Sequence, residues 1–121
     1  MNLYRCPICG NVVSLLKGKI SHITCCGEQM QQLKANTVDA SQEKHVPAYK
    51  IEDGLIHVQV GEVLHPMLEE HFIEWIALVT DDKVIRVTLK PGQEPTAVFP
   101  YEEGASIYEY CNLHGLWKVE L

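Results

Sequence analysis

Five cysteines and six histidines hold most of the chemistry open to this 121-residue chain. Cys6, Cys9, Cys25 and Cys26 crowd the N-terminus, while Cys111 stands alone in Cys111-Asn112-Leu113-His114. Cys6-Pro7-Ile8-Cys9-Gly10 and Thr24-Cys25-Cys26-Gly27 each read as a tight turn, so four thiolates come from two turns. Such a set satisfies a tetrahedral zinc or iron completely. On ligand type alone a structural zinc is favoured, and iron stays open. Neighbouring residues cannot both point freely at one ion, so Cys25 and Cys26 predict a distorted angle at the metal. A vicinal disulfide is a third option, but it is strained and leaves Cys6 and Cys9 without partners. With four thiols at hand, His22 is expected to be an exposed turn residue.

The lone Cys111 calls for other ligands. His57 falls on the polar face of an alternating stretch and is assigned to the surface. His45, His65, His71 and His114 fall at strand ends or in loops. Proline follows His65 directly and His45 at one remove, which biases the chain there to extended backbone. Any one of these histidines is ordinarily a satisfied or surface residue, and Cys-x-x-His is common by chance. The argument lies in the set of four imidazoles and one thiolate. Zinc rarely takes five protein ligands. Iron(II) in a square pyramid, with its sixth position open, suits the set.

Two kinds of element must position these groups. Up to about Leu33 the chain is loop-rich and short of apolar residues, so metal binding must supply much of its folding free energy. Asn36 to Glu43 is polar and reads as a linker. From His45 on, apolar residues recur at every second position: Ile56, Val58 and Val60, then Ile85, Val87 and Leu89. Phe72–Thr80, Thr96–Phe99, Ser106–Cys111 and Leu116–Leu121 supply further strands. Turn signals at intervals of roughly 8–12 residues point to an antiparallel sandwich. The one place for a helical turn is Met67 to Glu70. The chain is thus expected to be mainly β, with a metal knuckle over residues 1–36 and a β-sandwich over 37–121.

Composition narrows the function. Hydrophobic residues at 46% and charged residues at 21% describe a folding, soluble chain, and a net charge of −6 gives no reason to expect nucleic acid or an anionic membrane. No apolar run nears the roughly 18 residues of a membrane span. The start lacks a signal-peptide layout, so a cytoplasmic location is expected. In that reducing compartment clustered cysteines more often bind metal than pair.

Taken together, Cys6-x-x-Cys9, Thr24-Cys25-Cys26-Gly27, Glu43-Lys44-His45-Val46-Pro47, His65-Pro66-Met67, Glu70-His71-x-Ile73 and Cys111-Asn112-x-His114 resemble desulfoferrodoxin, the two-iron form of superoxide reductase. The resemblance runs in order over essentially the whole chain. It implies a desulforedoxin-like domain with Fe(Cys)₄ held by Cys6, Cys9, Cys25 and Cys26, which reverses the preference for zinc. It also implies an immunoglobulin-like sandwich with Fe(His)₄(Cys) held by His45, His65, His71, His114 and Cys111. The implied activity is one-electron reduction of superoxide to hydrogen peroxide, with rubredoxin or a similar small donor and a homodimer as partners. Beside the ligand His45, Lys44 is expected to attract superoxide and deliver a proton, and Glu43 to close the vacant position when iron is oxidised. Amides of Leu113 or His114 are expected to bond the Cys111 sulfur. Other classes stay in view: an electron-transfer protein without substrate chemistry, a zinc-stabilised binding module, and, among enzymes, a dismutase.

Overall fold

The computed structural model describes residues 1–121 and divides into two compact units, Met1–Lys34 and Ala35–Leu121. The first unit contains little regular structure. Strands β1 (Leu3–Arg5), β2 (Val12–Ser14), β3 (Thr24–Cys25), β4 (Glu28–Gln29) and β5 (Gln31–Gln32) are each two or three residues long. They form one sheet in the order β2-β1-β5 and a separate β3-β4 hairpin. Only Leu3, Cys6 and Met30 are buried there, too little apolar surface to hold the unit by burial alone.

The second unit opens with a single helical turn, α1 (Gln42–His45). Seven strands follow: β6 (Pro47–Glu52), β7 (Leu55–Val60), β8 (Ile73–Val79), β9 (Val84–Thr88), β10 (Thr96–Pro100), β11 (Ser106–Cys111) and β12 (Gly115–Glu120). They make two antiparallel sheets, β10-β7-β6 and β12-β11-β8-β9, the three-plus-four arrangement of an immunoglobulin-like sandwich. The period-two pattern sets what faces inward. Ile56, Val58 and Val60 of β7 meet Ile73, Ile76 and Leu78 of β8, Ala97 and Phe99 of β10 and Ile107 of β11 in one core. Each large side chain fully buried here contributes about 2 kcal/mol.

Two local features differ from the sequence reading. Met67–Glu70 is not helical: Leu68 and His71 exchange backbone hydrogen bonds at 2.9 and 3.1 Å across a tight turn. The helical turn lies instead at Gln42–His45, beginning in the last two residues of the stretch read as linker, where the Val46 amide donates to the Gln42 carbonyl at 2.9 Å. Four residues are too few to show a 3.6-residue period, and Val46, held extended before Pro47, passes the chain into β6. No helix is long and apolar enough to cross a membrane.

Candidate metal centres

In the first unit the two turns bring the four sulfurs together. Cys9 and Cys25 Sγ are 3.6 Å apart and Cys25 and Cys26 Sγ 4.0 Å. Sulfurs bound tetrahedrally at about 2.3 Å stand about 3.8 Å apart, so a single ion fits between them. The adjacent pair has the wider spacing, in the sense expected for neighbours that cannot both aim freely. All five cysteines are free thiols, and 4.0 Å is far beyond a disulfide bond. Cys26 turns towards its neighbour by adopting φ of 53°, a left-handed conformation that costs about 1–2 kcal/mol outside glycine.

The sulfurs differ in environment. The Ile8 and Cys9 amides both donate to Cys6 Sγ at 3.4 Å. These bonds, the Cys9 amide above all, pull the Cys6 thiol down to about 6, against the opposing effect of burial. Cys25 is pushed up to about 12, chiefly because the neighbouring Cys6 and Cys9 sulfurs disfavour a further negative charge beside them. A cation removes that conflict and lets all four ionise. His22 stays outside the group, exposed at the end of a 3₁₀ turn (Ile20–His22).

The second centre is assembled at one end of the sandwich. His45 ends α1, His65 and His71 lie in the loop between β7 and β8, Cys111 ends β11, and His114 sits in the turn before β12. Their ligand atoms all lie within 4.8 Å of one another. The four imidazoles form a closed square. Around it, His45–His65, His65–His71, His71–His114 and His114–His45 have ring centroids 4.6, 4.6, 5.0 and 4.8 Å apart, each pair meeting edge-on. Across the square, His45 and His71 are 6.3 Å apart. Cys111 Sγ approaches two opposite members, at 3.5 Å from His65 Nε2 and 3.8 Å from His114 Nδ1.

Tautomers identify what this arrangement is for. His45 Nδ1 donates to the Ser41 carbonyl and His65 Nδ1 to the Pro66 carbonyl, each at 2.7 Å. Each Nε2 is left with a bare lone pair, and the two stand 3.0 Å apart. His45 Nε2 also faces His114 Nδ1 at 3.1 Å, and the buried Nε2 of His71 has no partner at all. Facing lone pairs repel unless a cation lies between them. Nitrogens held at right angles about 2.1 Å from one ion stand about 3.0 Å apart. The donor set therefore fits a single metal ion, with imidazoles fixed by carbonyls behind them as bound histidines require. Four nitrogens and one soft sulfur suit iron better than zinc.

Burial is the main force on these groups. It lowers His45 and His71, and drives His65 down to about 4, with the neighbouring imidazoles adding to the effect. All three are neutral at pH 7 and ready to bind. Burial raises the Cys111 thiol, partly offset by hydrogen bonds from the His114 and Leu113 amides. Those amides are the ones expected from the sequence. Lys44 is exposed beside His45, and its charge is felt by both His45 and His71. Glu43 is also exposed but lies outside the donor group, lining a shallow groove with Val46, Pro47 and Glu62.

Comparison with known proteins identifies the family. The desulfoferrodoxin family model matches residues 37–120, and that of the desulfoferrodoxin N-terminal domain matches residues 1–33. The chain belongs to the desulfoferrodoxin family. It is 49% identical to a desulfoferrodoxin of Desulfarculus baarsii over 121 residues, covering 99% of this chain and 96% of the relative. The desulfoferrodoxin of Syntrophotalea carbinolica is 50% identical, with 99% and 96% covered. Among solved structures, the superoxide reductase of Treponema pallidum superposes with a TM-score of 0.74 at 30% identity, covering 97% of this chain and 98% of its own. Both cofactor sites of a two-iron desulfoferrodoxin are thus present as complete donor sets.

Several supports of this desulfoferrodoxin site escaped the sequence reading. Asn112 clamps two ligand loops: its Oδ1 accepts from the Phe72 amide at 3.0 Å and its Nδ2 donates to the Glu70 carbonyl at 3.1 Å. Trp117 stacks on His45 at 5.0 Å and donates through Nε1 to the His114 carbonyl at 3.0 Å. A bulge between Tyr110 and Cys111 sets Cys111 opposite Ile73 and leaves Glu74 unpaired in the ladder. Glu109, two residues before Cys111, is fully buried with neither carboxyl oxygen bonded, and burial lifts its pKa well above the carboxylate range. No local pattern marks these positions. Asn112 alone carried a hint, as a polar residue between two ligands.

Proposed function

We propose that this desulfoferrodoxin is a superoxide reductase, which reduces superoxide by one electron to hydrogen peroxide at the five-ligand centre and is re-reduced by rubredoxin or a similar small protein. The observation that carries this reading is the square of imidazoles in which His45 and His65 turn bare Nε2 atoms towards one another, with Cys111 against two of its members. The T. pallidum relative, named a superoxide reductase and matched over nearly its full length, supports it. Iron held by His45, His65, His71, His114 and Cys111 supplies the electron.

The protein's own residues do the rest. Imidazoles kept neutral by burial add no charge to the site. Cys111 alone contributes a negative one, so the loaded centre stays cationic and attracts an anionic substrate. The His114 and Leu113 amides stabilise the thiolate, which in turn pushes electron density towards its metal. Lys44, exposed beside His45, adds positive potential for the incoming anion and passes a proton to it through water. Glu43 closes the entrance after peroxide leaves, a movement open to an exposed side chain on a single helical turn. Cys6, Cys9, Cys25 and Cys26 hold the second iron as an electron relay. The protein is a cytoplasmic homodimer, a setting that suits five free thiols.

Stoichiometry tests the reading. The iron-loaded protein, given reduced donor, should form one peroxide for each superoxide consumed and release no dioxygen. Azide should shift the visible spectrum of the oxidised centre. One peroxide for every two superoxides, with dioxygen released, would make it a dismutase. Indifference to azide together with no superoxide consumption would leave an electron-transfer or structural protein.

A further inference from the structure

Charge is divided very unevenly between the two units. Arg5, Lys17, Lys19 and Lys34 against the single Glu28 give residues 1–34 a net +3. The whole chain carries −6, so residues 35–121 carry −9. Four thiolates around a ferric ion leave one net negative charge, so the first unit remains positive when loaded. The positive charge is also concentrated. Lys17, Lys19 and His22, with Leu15, Gly18 and Ile23, line a groove of about 480 Å³. Nothing in the proposed reaction employs these residues.

The groove is joined to the four-cysteine centre by a short covalent and hydrogen-bonded route. Ile23 in its wall is two residues from Cys25. The Gln29 side-chain amide donates to the Ile20 and Ile23 carbonyls at 2.8 and 3.4 Å, tying the 3₁₀ turn to the β3-β4 hairpin that carries Cys25. Cys9 and Cys26 are themselves exposed, and Ile8 beside Cys9 is 62% exposed. Apolar contact area, cationic side chains and an accessible redox edge occur together on one small unit.

We infer that the Lys17–Lys19–His22 groove is the docking surface for the electron donor, and that this donor is a small acidic redox protein. The inference rests on the proposed reading of the chain as an enzyme re-reduced by a protein. Charge complementarity selects the occupant. An acidic protein is drawn to the first unit, still positive when loaded, and repelled by the strongly negative charge of the second, so the uneven division itself favours docking on the first. With ferric iron held by Cys6, Cys9, Cys25 and Cys26, the transfer would take one electron from the donor's ferrous iron to that ion. No bond forms or breaks and no proton moves.

The test uses the iron-loaded full chain and an acidic rubredoxin as probe. Affinity is measured by calorimetry with both partners oxidised, at low and at 300 mM salt. Reduction of the four-cysteine centre by the reduced probe is followed by stopped flow. The double variant Lys17→Glu, Lys19→Glu should bind at least tenfold more weakly at low salt, lose most of its salt dependence and accept electrons correspondingly slowly. Lys17→Arg, Lys19→Arg should behave as the parent does. An unchanged spectrum of the four-cysteine centre verifies that the variants are folded. Unaltered affinity and salt dependence in the charge-reversed variant would overturn the inference. So would salt-sensitive self-association abolished by the same variant while probe binding persists, because the groove would then belong to a second copy of the chain. The reaction of chemically pre-reduced variant with superoxide should match the parent. If the parent itself fails to consume superoxide, the superoxide reading fails while the binding result still decides the docking surface.

Discussion

Gly61 offers a sharp test of how the second centre is held. It follows β7 with φ of +81°, and a Cβ built on it would lie 2.4 Å from the Val63 carbonyl, 2.7 Å from the Glu43 carbonyl and 2.7 Å from Lys44 Cα. All three atoms belong to the backbone, so no side chain can rotate out of the way. The last two lie in the helical turn that presents Lys44 and His45. Gly61→Ala therefore carries two costs: about 1–2 kcal/mol for a left-handed alanine, and about 1–3 kcal/mol for forcing packed backbone apart. The sum is about 2–5 kcal/mol. Gly104 supplies the control, because at φ +76° its added Cβ meets nothing within 4 Å, leaving only the conformational part of about 1–2 kcal/mol. Both tryptophans, Trp75 and Trp117, lie in the second unit, so urea unfolding followed by their fluorescence reports that unit alone. Gly61→Ala should be the less stable variant by about 1–3 kcal/mol. It should also shift the thiolate-to-iron absorption, because His45 moves with its turn. Equal unfolding midpoints for the two variants and an unshifted band would refute the claim that the bare glycine seats α1.

Lys44→Ala should slow the second-order reaction with superoxide roughly tenfold and flatten its dependence on ionic strength; pulse radiolysis at two salt concentrations would show it, and an unchanged rate removes Lys44 from the reaction. Asn112→Ala unties the two ligand loops at a cost of about 1–3 kcal/mol, seen as a lowered unfolding midpoint and faster loss of iron to a chelator. In metal-stripped protein His65 titrates near 4 when folded and near 6.5 when unfolded. A depressed folded value gives stability that is fully present above pH 6.5 and lost as pH falls towards 4, on the order of 3 kcal/mol. Urea midpoints at pH 7.5 and 4.5 test this, and a flat profile would contradict it. Glu109→Met keeps the length of the side chain and removes two unbonded buried oxygens, so the stability of the second unit should rise by about 1–3 kcal/mol, seen in its unfolding midpoint.

The ligands were legible because their chemistry is rare and their number fits. Four thiols near one another and a fifth set among histidines leave few arrangements that satisfy a metal. The strands were legible too, since Ile56, Val58 and Val60 must face one way and His57 the other. Their supports were illegible for a physical reason. Ser41 and Pro66 act through backbone carbonyls, which every residue has. Gly61 acts through the absence of a Cβ against atoms about eighteen residues away in sequence, and the bulge at Cys111 carries no glycine or proline to announce it.

That division bears on what a change in this family can do. A ligand can be replaced only by another donor, so its loss is visible in the sequence at once. The supporting contacts leave every ligand in place while moving it. Asn112 and Gly61 each touch a ligand loop without reaching the donor square, Trp117 stacks on one of its rings, and each can shift an imidazole relative to its neighbours. Where nitrogens converge to 3.0 and 3.1 Å, a displacement of a few tenths of an ångström weakens the hold on a metal ion. Two chains with all nine donors intact can therefore differ in reactivity through these supporting contacts, which the ligand motifs do not reveal.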